Sequence, residues 1–419
     1  MLIPLLYLTL HQNNNMQKLP SINISDYDYP LPEEKIAAYP LPERDTSKLL
    51  VCKNGEITDR HFYDLPDLLY QDSLLVLNNT RVIHARMNFQ RESGARIEIF
   101  CLEPEFPVRD IQLAMQQTGS CIWKCFVGNA KKWKGEKLFL KVNAPDLEYV
   151  LTAELVERGN DGFLIGFSWD PGLLNFSQII ETAGNVPLPP YIHRPAEQSD
   201  NERYQTVYAY NDGSVAAPTA GLHFTPETFK KLSQKNITTT QITLHVGAGT
   251  FKPVQSENIE QHMMHSEQVV IHKQLLDDLV HAKAGIVAVG TTTVRSLESL
   301  YYVAAKLHKT GILPDNISQW EPYGTEPDSG NRNVILNNLK SYMEHHHMQQ
   351  LAFSTTIIIV PGYKFKIIDG MVTNFHQPRS TLLLLVSAFL GDRWEQVYEH
   401  ALMNHYRFLS YGDACLFMK

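Results

Sequence analysis

Four short strings constrain this chain more than anything else in it: APTAGLHFT (217–225), LHVGAGTF (244–251), VGTTTVRSLES (289–299) and TNFHQPRST (373–381). In each, small or polar residues follow directly on an apolar run. In three of the four a helix is expected to begin at once. An α/β protein builds a ligand crevice in this way, at the carboxyl ends of its strands. Small residues let backbone approach a ligand, and free helix N-terminal N–H groups bind anions. One such turn is weak evidence; four, three of them carrying histidine, point to a site.

At 419 residues the chain can bury a large core and is expected to form two domains. Its 43% hydrophobic and 20% charged content is ordinary for a globular protein. A net charge of −8 excludes a uniformly basic nucleic-acid binder while leaving room for local patches. The five cysteines are odd in number and lack the paired spacing of a zinc site, so free thiols in a reducing, cytoplasmic compartment are expected.

Residues 1–20 read as a disordered leader. The apolar stretch Met1–Leu10 lacks a basic flank and a cleavage site and is too short to span a bilayer; Met16 could be the true start. Leu382–Val386 reads as a buried helix stopping at Gly391, and no membrane segment is expected. A short helix is expected at Glu33–Ala38 and a strand at Ser73–Leu77. From 89 to 167, alternating segments such as ARIEIF, WKCFVG and KLFLKV suggest a small barrel or sandwich. That insert divides an α/β domain made of 21–88 and 168–419.

Within the second part, Asn175–Ala183 reads as a helix, and Thr225-Pro226 as an N-cap followed by proline at the first helical position. Strands are expected at Thr238–Val246, Ile286–Val289, Thr355–Val360, Tyr363–Ile368 and Met371–Phe375. Thr291–Thr293 suit a helix cap. The polar segment 311–350 reads as a surface insertion with one helix near its end.

Together the motifs resemble the S-adenosylmethionine:tRNA ribosyltransferase-isomerase family of queuosine biosynthesis. The resemblance starts at DYPLPEEKIAAYPLPERDTSKLL and runs through LNNTRVIHARM, VPLPPYI, RYQTVYA, the four strings above and HMMHSE to YRFLSYGDA (406–414). It implies a three-layer α/β/α domain carrying an inserted small β-barrel. It also implies transfer of the ribosyl part of S-adenosylmethionine to 7-aminomethyl-7-deazaguanine in a tRNA anticodon. The products would be epoxyqueuosine-tRNA, adenine and methionine, with no metal involved.

Such chemistry needs a general base, a donor to departing adenine and a grip on the methionine carboxylate. Histidine suits proton transfer, so His223 and His245 are candidates, with Glu267 in HMMHSE as a third; which acts as base is not readable. Thr219, Gly247, Gly249, Thr250, Thr291, Thr292, Arg295, Asn374 and His376 are candidates for S-adenosylmethionine. Each has a structural rival: a tight turn for the glycines, a cap for the threonines, a surface carboxylate for Glu267. His84, His193 and His308 read as structural, and consecutive His345–His347 diverge too far on a helix to hold a metal.

For the tRNA anticodon arm the candidates are Lys131, Lys132 and Lys134, with Arg81. Lys124 and Lys137 flank the lysine cluster, and Trp123, Phe126 and Trp133 interleave with it as possible stacking platforms. A solvated barrel edge is the rival reading. A monomer is expected. Arg379, where the family pattern has an acidic residue, and the long 311–350 segment raise two alternatives: a divergent S-adenosylmethionine-dependent transferase with another acceptor, or a non-catalytic tRNA-binding module.

Overall fold

The computed structural model describes residues 20–144, 147–170, 172–247, 254, 256–324 and 330–419. Of the expected leader, 1–20, all but residue 20 lies outside them.

Ten strands form one mixed sheet, in the order Asn316–Ile317, Gln350–Thr355, Glu267–His272, Thr238–Leu244, Leu74–Asn78, Ile286–Val289, Gly370–Asn374, Ala414–Met418, Lys48–Lys53 and Glu56–His61. The four strands from Thr238–Leu244 to Gly370–Asn374 in that order are mutually parallel. The central pair, Leu74–Asn78 and Ile286–Val289, is apolar but for Asn78, as strands covered on both faces must be, whereas Thr238–Leu244 starts with two exposed threonines. Alternate side chains enter two separate cores. Leu50, Cys52, Ala288 and Met371 meet the helices Lys273–His281, Thr291–Thr310, Arg332–His345, Thr381–Leu390 and Arg393–Met403. Leu49, Val51, Val287, Val289 and Val372 meet Phe62, Leu65, Phe224 and Leu232 on the opposite face. The sheet is therefore the middle of three layers.

Between Arg86 and Asp170 six antiparallel strands pair in succession, and the last closes on the first through Gln90 and Phe139. This closed barrel has its own core, in which Trp123, Phe167 and Trp169 surround Phe176. Closure leaves no long edge strand exposed.

Local signals held where capping chemistry dictated them. Thr225 accepts from Thr228 N and Pro226 opens the helix Pro226–Gln234. Asn175 caps Phe176–Ala183, and Gly391, at φ 61°, ends Thr381–Leu390.

Other expectations failed for identifiable reasons. Glu33–Ala38 is only a 3-10 turn, Glu33–Lys35. Thr355–Val360 and Tyr363–Ile368 are not ladder strands. Ile357 N–H goes to Thr355 Oγ1, and Val360 N–H to the Tyr323 hydroxyl. The N–H groups of Lys366, Ile367 and Ile368 converge on the buried carboxylate of Glu298, which also accepts from Tyr363. The segment 311–350 is not merely surface: Ile335, Leu336, Leu339 and Met343 join the main core.

Candidate active site

The parallel strands Thr238–Leu244, Leu74–Asn78, Ile286–Val289 and Gly370–Asn374 end at one edge of the sheet. The chain enters Thr238–Leu244 from a helix on one face and leaves Ile286–Val289 by a helix on the other. That reversal leaves a crevice outside the strand ends.

A cleft of about 810 Å³, counting its open mouth, occupies this position. Thr219, Thr291, Thr292, Asn374 and His376, all expected, line it together with Tyr191, Ser380, Thr381 and Ser410. Two helices begin on its wall. Gly290, at φ 91° and ψ 146°, turns the chain from its strand into the 20-residue helix Thr291–Thr310. The capping position is thus glycine, and the threonines form the first turn. Ser380 caps the second helix by accepting from Leu383 N at 3.2 Å. The first-turn N–H groups lack partners within their helices, and each N-terminus carries roughly half a positive charge. No Asp, Glu, Lys or Arg stands among the described lining residues; Tyr191 and His376 are the only titratable ones. Among the described residues the cleft therefore offers helix N-termini, not a side-chain cation, to an anion.

Behind this wall runs a buried hydrogen-bond chain. Thr219 Oγ1 donates to Asn374 Oδ1 at 2.8 Å, and Asn374 Nδ2 lies 3.2 Å from His223 Nε2. His223 Nδ1 is 2.8 Å from Ser47 Oγ. Because Asn374 Nδ2 also donates to Asp413 O, the amide orientation is set. His223 must then accept at Nε2 and donate from Nδ1, which makes it neutral. Burial pushes its pKa down to about 4, and the Arg407 and Arg44 charges act in the same direction. His376 is partly buried at the cleft wall, its Nε2 2.9 Å from Thr373 Oγ1, and burial pushes it down to about 3.

The remaining expected residues lie elsewhere. His245 Nδ1 is 3.2 Å from Thr80 Oγ1, and its Nε2 is 3.4 Å from the amide nitrogen of Gln112, on a short helix beside the barrel. It sits where barrel and sheet meet, neutral, with burial lowering its pKa to about 4. Glu267 accepts from Arg295 Nη1 at 2.5 Å in a pair about 95% buried on both sides, while Arg295 Nε donates to Ile357 O. Gly247 would hold a Cβ in open space. Gly249 and Thr250 lie outside the described residues.

On the barrel, Lys131 and Lys132 close a 3-10 turn and Lys134 follows it; all three are exposed. Trp123 and Trp133 are instead buried in the barrel core and offer no stacking face. Arg81 is held between Glu181 and Asp212. His345–His347 are exposed, and among the described residues no group of three or more His, Cys, Asp or Glu gathers to hold a metal. The five cysteines are free and buried. Among the described residues no helix is long and apolar enough to cross a membrane.

Sequence reasoning missed Ser47, Gly290, Ser380 and Ser410. Ser380 was findable, since Ser-Thr before the apolar run Leu382–Val386 is an N-cap signal. Ser47 and Ser410 reach the site only through the fold.

The family model described as queuosine biosynthesis protein matches residues 24–417. A protein of Pelobacter propionicus named S-adenosylmethionine:tRNA ribosyltransferase-isomerase is 38% identical over 398 residues, covering 93% of this chain and 98% of its own. A crystal structure of S-adenosylmethionine tRNA ribosyltransferase from Thermotoga maritima is 29% identical, with a TM-score of 0.45. That match covers 94% of this chain and 100% of the other.

Proposed function

The chain belongs to the queuosine biosynthesis protein family, and on that premise we propose that it is an S-adenosylmethionine:tRNA ribosyltransferase-isomerase acting in the cytoplasm as a monomer. The acceptor is the aminomethyl group of 7-aminomethyl-7-deazaguanine in the anticodon. The products are epoxyqueuosine-tRNA, adenine and methionine. The observation that carries this reading is the convergence of two helix N-termini on one cleft at the strand ends.

S-adenosylmethionine supplies an activated ribosyl group whose sulfonium acidifies the neighbouring carbon. Its methionine carboxylate suits the first-turn N–H groups of Thr291 and Thr292, where the helix end stabilises an anion without a lysine or arginine. Thr219 and Asn374, locked by the chain to His223, present a rigid polar edge to the nucleoside. His376 is the sole imidazole on the described lining. Neutral at physiological pH and held near 3 by burial, it exchanges a hydrogen bond with departing adenine. His223 and His245 then serve as positioning groups, and Glu267 as the counter-charge of Arg295.

The deciding experiment incubates the protein with S-adenosylmethionine and tRNA carrying the deazaguanine precursor, then digests and weighs the nucleosides. Ribosyl transfer adds the epoxycyclopentane mass and releases adenine and methionine. S-adenosylhomocysteine in their place would make the chain a methyltransferase, and absence of adenine would make it a tRNA-binding module.

A further inference from the structure

Next to the cleft lies a second, smaller recess lined by Pro40, Leu41 and three arginines, Arg44, Arg203 and Arg407, with Ser47, His223 and Tyr411 at its back. Ser410 lines both cavities, and the His223–Asn374 bond joins their walls. The three arginines come from distant parts of the chain, so only the fold makes this cluster.

Its charges are poorly compensated. Arg44 donates to the carbonyls of Gln205, Leu222 and Glu202, and Arg203 to those of Pro42 and Leu41. Carbonyls satisfy donors but cancel no net charge. Among the described residues, Asp413 is the one carboxylate paired with any of the three, at 3.6 Å from Arg407. Asp413 is itself engaged by the N–H groups of Lys48 and Arg407. The positive field registers on neighbouring groups. Burial and then Arg203 lower the pKa of Arg44, and Arg407 and Arg44 both add to the lowering at His223.

We propose that this recess is an anion site that receives a backbone phosphate of the RNA substrate, one that flanks the nucleotide entering the cleft. The inference rests on the RNA-modifying reading above. Guanidinium groups suit phosphate by charge and by their planar fork of donors. The shared Ser410 wall sets the two cavities side by side, as neighbouring groups of one nucleotide chain require. Among the described residues the cleft offers an anion only helix N-termini, whereas the recess offers formal positive charge. A polyanion therefore enters from the arginine side.

Arg407 is the variant of choice, because its guanidinium makes only long contacts, 3.3 Å to Tyr39 O and 3.6 Å to Asp413. Binding of an anticodon stem-loop RNA to the full chain is measured against salt for the parent, Arg407→Met and Arg407→Lys. The Met variant is expected to bind roughly five- to ten-fold more weakly, with a salt slope shallower by about one. The Lys variant should keep most of the slope, and S-adenosylmethionine affinity by calorimetry should not move. Unchanged RNA affinity and slope in a folded Met variant would make the recess a structural brace and overturn the proposal. A loss confined to S-adenosylmethionine would overturn it too, by assigning the recess to the methionine carboxylate. Should Arg407→Met not fold, the parent decides. Inorganic phosphate must then displace the RNA better than chloride at equal ionic strength, and equal displacement would overturn the site. These are binding measurements, so a chain that grips RNA here yet releases no adenine would sink the proposed reaction and leave the recess standing.

Discussion

Asn374 Nδ2 donates to His223 Nε2 across 3.2 Å, from the wall of the cleft to a histidine sealed behind it. With the amide orientation set by its donation to Asp413 O, His223 is the second acceptor that holds Asn374 in place, and Asn374 Oδ1 in turn accepts from Thr219 Oγ1. A histidine in one of the four motifs is thus tied to the cleft wall without lining the cleft itself.

Removing that acceptor should disturb binding geometry and leave the fold standing. His223→Ala leaves a buried amide donor with only the 3.4 Å contact to Asp413 O, a defect of about 1–3 kcal/mol. The expected fall in kcat/KM for adenine release is roughly ten- to hundred-fold. His223→Gln, whose carbonyl can accept the same bond, should recover part of it. Parent-level turnover in His223→Ala would show the bond to be incidental.

The buried histidines should shape stability against pH more than they shape rate. An unfolded imidazole titrates near 6.5, whereas His223 and His245 are held near 4 by burial. Between those values the unfolded chain takes up protons that the folded chain refuses. Stability is therefore full above about pH 6.5 and is lost as pH falls toward 4, by about 3 kcal/mol for each histidine. Urea denaturation at pH 7.5 and pH 5 measures this, and His245→Gln should flatten the difference. Equal midpoints at both pH values in the parent chain would contradict it.

Glu267→Gln separates a structural carboxylate from a catalytic one. The substitution strands the Arg295 guanidinium in a buried site, so a loss of about 3–5 kcal/mol is expected. A general base would instead lose two to four decades of turnover with little change in stability. Denaturant midpoints and single-turnover adenine release, measured on one preparation, tell the two apart.

Changing Lys131, Lys132 and Lys134 together to Ala tests the barrel as a second RNA contact. All three are exposed, so the variant should fold as the parent does. tRNA affinity should fall and the salt slope should shrink by up to about 2–3. Affinity for S-adenosylmethionine should hold. A parent-like slope would make the lysines a solvated barrel edge.

Sequence alone determined what depends on neighbours along the chain. The cap at Thr225, the stop at Gly391, the helix ending at Ala183 and the strand Ile286–Val289 follow from local backbone chemistry, which needs no distant partner. The placement of Thr291, Thr292, Asn374 and His376 was also legible, because motifs at the ends of parallel strands share one edge of the sheet, whereas Thr219 reaches it on a 3-10 turn that follows no strand of that sheet. Only the tertiary structure decided which histidine lines the cleft. It turned His245 toward the barrel, set His223 behind Asn374, and spent Glu267 on Arg295. It likewise denied Tyr363–Ile368 a ladder by offering their N–H groups the Glu298 carboxylate from another helix. In each case the partner lies tens to hundreds of residues away. A buried polar group takes whichever partner the fold brings within hydrogen-bond reach, and no local pattern encodes that choice.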